Sequence, residues 1–459
     1  MVFSSTVFLF IFLPILLGIY FAFKDKYANY VLLFGSLFFY AWGEPKNILL
    51  MLAAIVVNYV IGIGIDKYRK YSKILLIVSL VYNLGVLFVF KYLNFTVDTV
   101  NDWFALDVNI EEIALPIGIS FFTFQIISYV VDVYREKVKA QYDIVKLSLY
   151  IALFPQLIAG PIVRYIDIEK QIDHREITIN KFYDGVMRFS IGFSKKVLIA
   201  DQLAPLVDFY FTGVYPSIYS YWVVIIAYSM QMYFDFSGYS DMAMGLGKMF
   251  GFDFMENFNY PFIAKSIQEL WRRWHISLVS WFMDYLYIPL GGSRAGNIRT
   301  YVNMFIVFFF TGLWHGANFT FVSWGIFNVI FLTIERLGFI NTLNRLPSLI
   351  RHCYVLVVFW IGAVFFRSDN ISYAIDYLKG MFIPSGNDWV NFVFIMDNQY
   401  YFTMLIAALF SMPHNRIMMK LKLNKYTEFI YSIVILAIFF IAIVYMVGSG
   451  YSPFLYFRF

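Results

Sequence analysis

Charge is what this sequence has least of. Only 14% of its 459 residues are Asp, Glu, Lys or Arg, against 61% hydrophobic, and the mean hydropathy is +0.68. So little polar surface cannot keep a chain of this length in water. A soluble globular protein is excluded, and a polytopic membrane protein remains. Cysteine is nearly absent. Cys353 stands alone, so the chain can close no internal disulfide and build no thiolate metal cluster, and the residue reads as a plain buried thiol. No long basic run stands apart from the apolar segments, so no nucleic-acid partner is expected. The N-terminal stretch MVFSSTVFLFIFLPILLGIYFAFK lacks a basic start and a small-x-small cleavage site. It reads as a retained first helix rather than a signal peptide.

What the chain has in abundance is aromatic side chains, 22% of the total with 53 Phe, 36 Tyr and 10 Trp. Aromatic belts at the bilayer surfaces and aromatic packing between helices would use them. A spanning helix needs about 20 apolar residues. Residues 2–23, 30–42, 48–65, 74–90 and 113–133 meet or approach that length. Lys67, Arg69, Lys70 and Lys73 fall in one connection and Arg135, Lys137 and Lys139 in another, whereas 94–112 carries Asp98, Asp102, Asp107, Glu111 and Glu112 without a cation. By the positive-inside rule the basic connections are cytoplasmic, and the acidic one and the N-terminus lie outside.

Further along, residues 154–161, FPQLIAGP, interrupt an apolar segment with two prolines and a glycine. Such a segment reads as a broken or re-entrant helix, tolerated where protein or water surrounds it. Residues 165–181 read as charged surface, and 182–200 and 221–236 as spans. Residues 233–256 crowd Asp235, Ser237, Tyr239, Ser240 and Asp241 between apolar runs. They read either as a capped turn between helices or as the lining of a cavity. Residues 259–289 mix Trp with charge and read as an interfacial amphipathic segment. Two runs flanking His315, then 354–366, a weaker segment near 373–382, 401–412 and 429–447, complete the apolar set, with Arg416, Lys420, Lys422 and Lys425 marking another inside loop. The expectation is an all-α polytopic protein with roughly eleven to thirteen spans or half-spans. It forms one integral-membrane domain over 1–459, ending in an outside tail at 450–459.

The stretch at 303–325, NMFIVFFFTGLWHGANFTFVSWG, carries the strongest chemical signal. An ionisable side chain inside such a run is expensive in lipid and by default faces a cavity and works there. Trp314, His315 and Asn318 sit at its polar break. Of the 5 histidines, His174 and His414 fall in charged loops and His352 at a span edge. His275, in WRRWH, is the second candidate. Imidazole titrates near ~6.5 and can take and return a proton at neutral pH. Arg272 and Arg273 could meet the phosphates of a nucleotide-bearing donor, or could simply obey the positive-inside rule. Zinc held by the two histidines with Asp235 or Asp241 is disfavoured, because no HExxH or tight ligand spacing is present.

The blocks YFDFSGYSDMAMGLGKMFGF (233–252), ENFNYPF (256–262), LWRRWHISLVSWFMDYLYIPLGG (270–292) and TGLWHGANFTFVSWG (311–325) resemble those of the membrane-bound O-acyltransferases. They are most similar to the bacterial branch that includes alginate and peptidoglycan O-acetylation proteins and the teichoic-acid D-alanylation protein. FPQLIAGPIVRY (154–165) fits too, so the resemblance covers nearly the whole chain. It implies helices around a central tunnel in the bacterial cytoplasmic membrane, with no permanently bound cofactor. His315 would be the catalytic base and His275 the second polar position. Asp235, Ser237, Asp241, Arg272, Arg273, Trp314 and Asn318 would line the tunnel or bind the donor. The donor would be acetyl-CoA or a carrier-protein thioester, and a separate extracytoplasmic acyltransferase would receive the acyl group for a cell-surface polysaccharide. The tail, Phe454-x-Tyr456-x-x-Phe459, is similar to the C-terminal motif of a small partner in the D-alanylation system. That likeness makes the Tyr456 phenol a candidate acyl carrier, against the competing reading of an aromatic anchor. A transporter or a scaffold subunit without acyl chemistry is the alternative function, but no two matching halves are visible in the sequence.

Overall fold

The computed structural model describes residues 1–23, 26–213, 216–294, 296–384, 386, 388–413, 425–449 and 455. Tyr456, the rest of the 450–459 tail, His414 and the basic residues at 416–422 lie outside the described residues. Among the described residues the regular structure is helical. Five helical segments are long and apolar enough to cross a membrane: Ile48–Lys67, Arg69–Phe104, Phe319–Arg345, Ser348–Arg367 and Tyr426–Ser449. Phe8–Ala22 and Ile119–Tyr134 are shorter apolar helices. The chain is therefore an all-α membrane protein. Its contacts divide it into two compact units, Met1–Phe189 with Met242–Met255, and Ser190–Asp241 with Glu256–Phe459.

In the first unit, apolar helices are held together by a polar clasp. Asn58 on Ile48–Lys67 bonds Asn83 at 2.8 Å and Ser79 at 2.6 Å, both on Ser72–Leu87. With no water to compete, such bonds specify which helices pair. The broken segment is built as its prolines require. Helix Ile144–Ala152 ends at Leu153, and the short turn Phe154–Leu157 restarts after it. The Phe154 amide donates to Ser36 Oγ at 3.1 Å, and Phe39 and Phe12 pack on the Phe154 ring at 5.4 and 5.5 Å. Interrupted backbone is thus enclosed by protein.

Several expectations change. Residues 94–112 are not all loop. Helix Ser72–Leu87 runs through a wide turn at Phe88–Tyr92 into Leu93–Phe104, where Asp98 and Asp102, four residues apart, share one exposed face and leave the other apolar. Residues 165–181 are amphipathic rather than simply exposed, since helix Tyr165–Asp173 buries Tyr165, Ile168 and Ile172. Residues 233–249 are not a turn but the interior of one helix, Ile218–Met249. Residues 259–289 are not an interfacial helix. They break into Ile267–Arg273 and Ile276–Phe282, with Trp271, Trp274, His275, Trp281 and Phe282 buried. The tryptophans that suggest an interface instead fill a core. Cys353 is exposed, because it sits on the outer face of an apolar helix, Ser348–Arg367, where lipid rather than protein would cover it.

Candidate active site

His315 is the last residue of helix Asn297–His315. The next helix, Phe319–Ile334, is capped by Asn318, whose Oδ1 accepts the Thr320 amide at 3.0 Å while its Nδ2 donates to the Asp369 carbonyl at 2.8 Å. Asn318 therefore shapes the turn rather than the cavity. The two helices pack closely at glycines. A Cβ on Gly312 would lie 2.4 Å from the Phe321 carbonyl oxygen, and one on Gly325 would lie 2.3 Å from that of Phe308. Only glycine allows backbones this near.

The His315 side chain is 7% exposed, and its Nδ1 lies 2.6 Å from the Thr311 carbonyl oxygen. A carbonyl can only accept, so Nδ1 carries the hydrogen and Nε2 is the basic nitrogen of the neutral ring. The ring is boxed by aromatic neighbours, with centroids of Trp314 and Trp324 at 5.0 Å and Phe366 at 5.3 Å. Beside it is a cavity of about 30 Å³ lined by His315, Asp235, Trp271, Trp324, Phe366 and Leu455, among others. That exceeds the roughly 10–15 Å³ that one water requires.

His275 breaks the chain between its two short helices with a left-handed backbone, φ +45°. It is fully enclosed, with Nδ1 3.1 Å from Asn257 Oδ1. Asn257 also accepts from Ser277 Oγ at 2.8 Å and donates to Ser240 Oγ at 3.0 Å. Burial, and then the neighbouring His315, push the His275 imidazole well below the usual histidine range. Phe236 packs edge-on against the His275 ring at 4.6 Å, and Trp314 lies 6.1 Å from it. Trp314 thus contacts both histidines.

The remaining candidates divide. Asp235 reaches the cavity, with Lys196 Nζ 2.9 Å away. Ser237 is buried, and its hydroxyl has no hydrogen-bond partner among the described residues, but it does not line this cavity. Asp241 pairs with Lys195 at 2.7 Å, and Arg273 pairs with Glu269 at 2.8 Å. Arg272 is exposed. None of these three charged side chains lines the cavity.

Sequence reasoning missed Lys196, Asp201, Asn257, Trp271 and Leu455. Lys196 and Asp201 carried a signal that could have been read, since both are charges inside the apolar run FSIGFSKKVLIADQL. Trp271 is held by a doubly capped short helix. Ser266 Oγ takes the Glu269 amide at 3.0 Å, and the buried Glu335 carboxylate takes the Ile267 and Gln268 amides at 2.6 and 3.0 Å. The Trp271 indole N–H has no hydrogen-bond partner among the described residues. Leaving such a donor unpaired in a buried site costs about 1–3 kcal/mol.

A buried histidine beside an aromatic cavity, within an all-helical membrane chain, suits a membrane-embedded group-transfer enzyme. The sequence model of MBOAT, the membrane-bound O-acyltransferase family, matches residues 36–375, and the chain belongs to that family. It is an O-acyltransferase, which sets aside the transporter and scaffold readings. A probable alginate O-acetylase of Pseudomonas aeruginosa is 46% identical over 389 residues, covering 83% of this chain and 75% of the relative. A peptidoglycan O-acetyltransferase of Helicobacter pylori is 34% identical over 420 residues, covering 83% and 80%. A teichoic acid D-alanyltransferase of Bacillus subtilis is 29% identical over 232 residues, covering 47% and 58%.

Proposed function

We propose that the chain moves an acetyl group from a cytoplasmic thioester, acetyl-CoA or a carrier-protein thioester, through the bacterial inner membrane for O-acetylation of a cell-surface polysaccharide. The relatives named for alginate and peptidoglycan O-acetylation support the polysaccharide class. The observation that carries the reading is the His315–Thr311 bond, which leaves Nε2 as the base beside the cavity.

In the transfer, Nε2 takes the proton of an acceptor hydroxyl as its oxygen attacks the thioester carbonyl carbon. The C–O bond forms, the C–S bond breaks, and the imidazolium returns the proton to the leaving thiolate. The Trp271 N–H supplies a donor for the oxygen that gains negative charge. His275 stays neutral and, with Trp314, holds the ring beside it in place. The acceptor hydroxyl is that of Tyr456, which then passes acetyl to a separate extracytoplasmic acyltransferase. Arg272 meets the phosphates of the donor, while Arg273 is occupied by Glu269.

The test is ester-linked acetyl on the surface polymer in a strain whose own copy carries His315→Ala, with membrane abundance measured alongside. Loss of acetyl at normal abundance is expected. Unchanged acetylation, with no second copy present, overturns the reading.

A further inference from the structure

Asp235 does something that proton transfer at His315 does not require. Its Oδ1 pairs with Lys196 Nζ at 2.9 Å, while its Oδ2 accepts the backbone N–H of Leu455 at 2.9 Å. The two partners of that last bond are 220 residues apart in sequence. Lys196 also pairs with Asp201, and Lys196, Asp235 and Asp201 are all buried. Asp235 is a carboxylate paired with a lysine, so an N–H aimed at its other oxygen makes a charge-assisted bond, stronger than one to a neutral acceptor. The Leu455 side chain is itself only 5% exposed and forms part of the wall of the His315 cavity.

We infer that Asp235, held in place by Lys196, is the seat on which the C-terminal segment docks at Leu455, against the His315 cavity. Asp235 is then a positioning residue. It touches neither donor nor acceptor, and fixes where the end of the chain meets the cavity. Two features make the seat specific. Lys196 orients the carboxylate so that its second oxygen points at the tail backbone rather than at a side chain, so docking reads chain position and not residue type. The aromatic wall around Leu455 excludes water, which raises the worth of the single polar bond. The seat itself stands on the geometry alone. Its consequence for transfer rests on the tail-carrier reading given above.

The seat is tested by thiol labelling of the full chain in native membranes, in a Cys353→Ser background that removes the one native thiol. Leu455→Cys reports the tail, and Ala363→Cys, on the same cavity wall, reports the fold. With Asp235 intact both thiols should react slowly with a maleimide. Asp235→Ala should speed labelling at position 455 by at least about tenfold, as expected for loss of a charged hydrogen bond, while position 363 stays slow. Asp235→Asn keeps an oxygen that can accept the amide, so it should hold position 455 within a fewfold of the parent. Faster labelling at both positions, or at neither, in Asp235→Ala overturns the seat, as does equal release by Asp235→Asn. Polymer acetylation in the same strains separates the two readings. If Asp235→Ala frees position 455 and acetylation persists, the seat holds and the tail-carrier reading fails. If acetylation falls with tail release and recovers in Asp235→Asn, both hold.

Discussion

His315 Nδ1 and the Thr311 carbonyl oxygen stand 2.6 Å apart, within one helix. The carbonyl belongs to the last turn of helix Asn297–His315, and by accepting from the ring it chooses the tautomer. Structure and chemistry therefore share one contact. The four-residue spacing of the helix supplies the acceptor, and the acceptor fixes which nitrogen is basic.

That assignment predicts the fate of the thioester. Membranes carrying the parent protein should release thiol slowly from acetyl-CoA, as water occasionally replaces the acceptor. His315→Gln keeps a side chain of similar polarity without a base and should lower this leak by about 10²–10⁴-fold. Equal leak in the two preparations would remove His315 from the chemistry.

Gly312→Ala tests the packing that holds His315. In an open helix the change would favour folding by roughly 0.5–1 kcal/mol. Here the new methyl would meet backbone, with the Phe321 carbonyl oxygen at 2.4 Å and its carbon at 3.1 Å. Backbone cannot rotate aside, so overpacking of about 1–3 kcal/mol should win. A lower thermal midpoint and reduced acetylation are expected. A stabilised, fully active variant would contradict the close helix contact.

The buried His275 gives stability a pH dependence of known sign. Its imidazole is held well below the usual range, by burial first and by His315 second. Unfolding returns it to about 6.5. Below that pH the unfolded chain binds a proton that the folded chain refuses. The His275 contribution is thus full above about 6.5 and is lost as pH falls, by up to about 1.4 kcal/mol per pH unit. In detergent, the thermal midpoint of His275→Gln should fall less between about pH 6.5 and 5 than that of the parent. Parallel curves would assign the acid sensitivity to other groups.

The tail carries its own prediction. Tyr456→Phe removes one hydroxyl oxygen and keeps the aromatic ring, so an interfacial anchor would survive the change and an acyl carrier would not. Polymer acetylation should be lost at unchanged membrane abundance. Full acetylation in Tyr456→Phe would falsify the carrier role and leave the anchor reading.

Much of this was legible from residue order because the signals are local. Apolar length marks the spans, the two prolines of FPQLIAGP mark a broken helix, and a histidine inside an apolar run marks a cavity. Residues 259–289 misled for the same reason. Tryptophan beside charge looks interfacial wherever it occurs, and only the neighbours decide whether it faces headgroups or a core. Asp235 and Asp241 looked equivalent, six positions apart on one helix, yet one reaches the cavity and the other pairs with Lys195 away from it.

The amino-acid order by itself determined that this chain enters a membrane, that it is helical, and that His315 is costly enough there to need a purpose, since each follows from transfer free energies and spacing along the chain. Only the tertiary structure decided what surrounds that histidine. The Lys196–Asp235 pair, the Leu455 amide on the same carboxylate and the Phe366 ring come from distant segments. Their meeting depends on how helices pack, and no periodicity within a single segment records it.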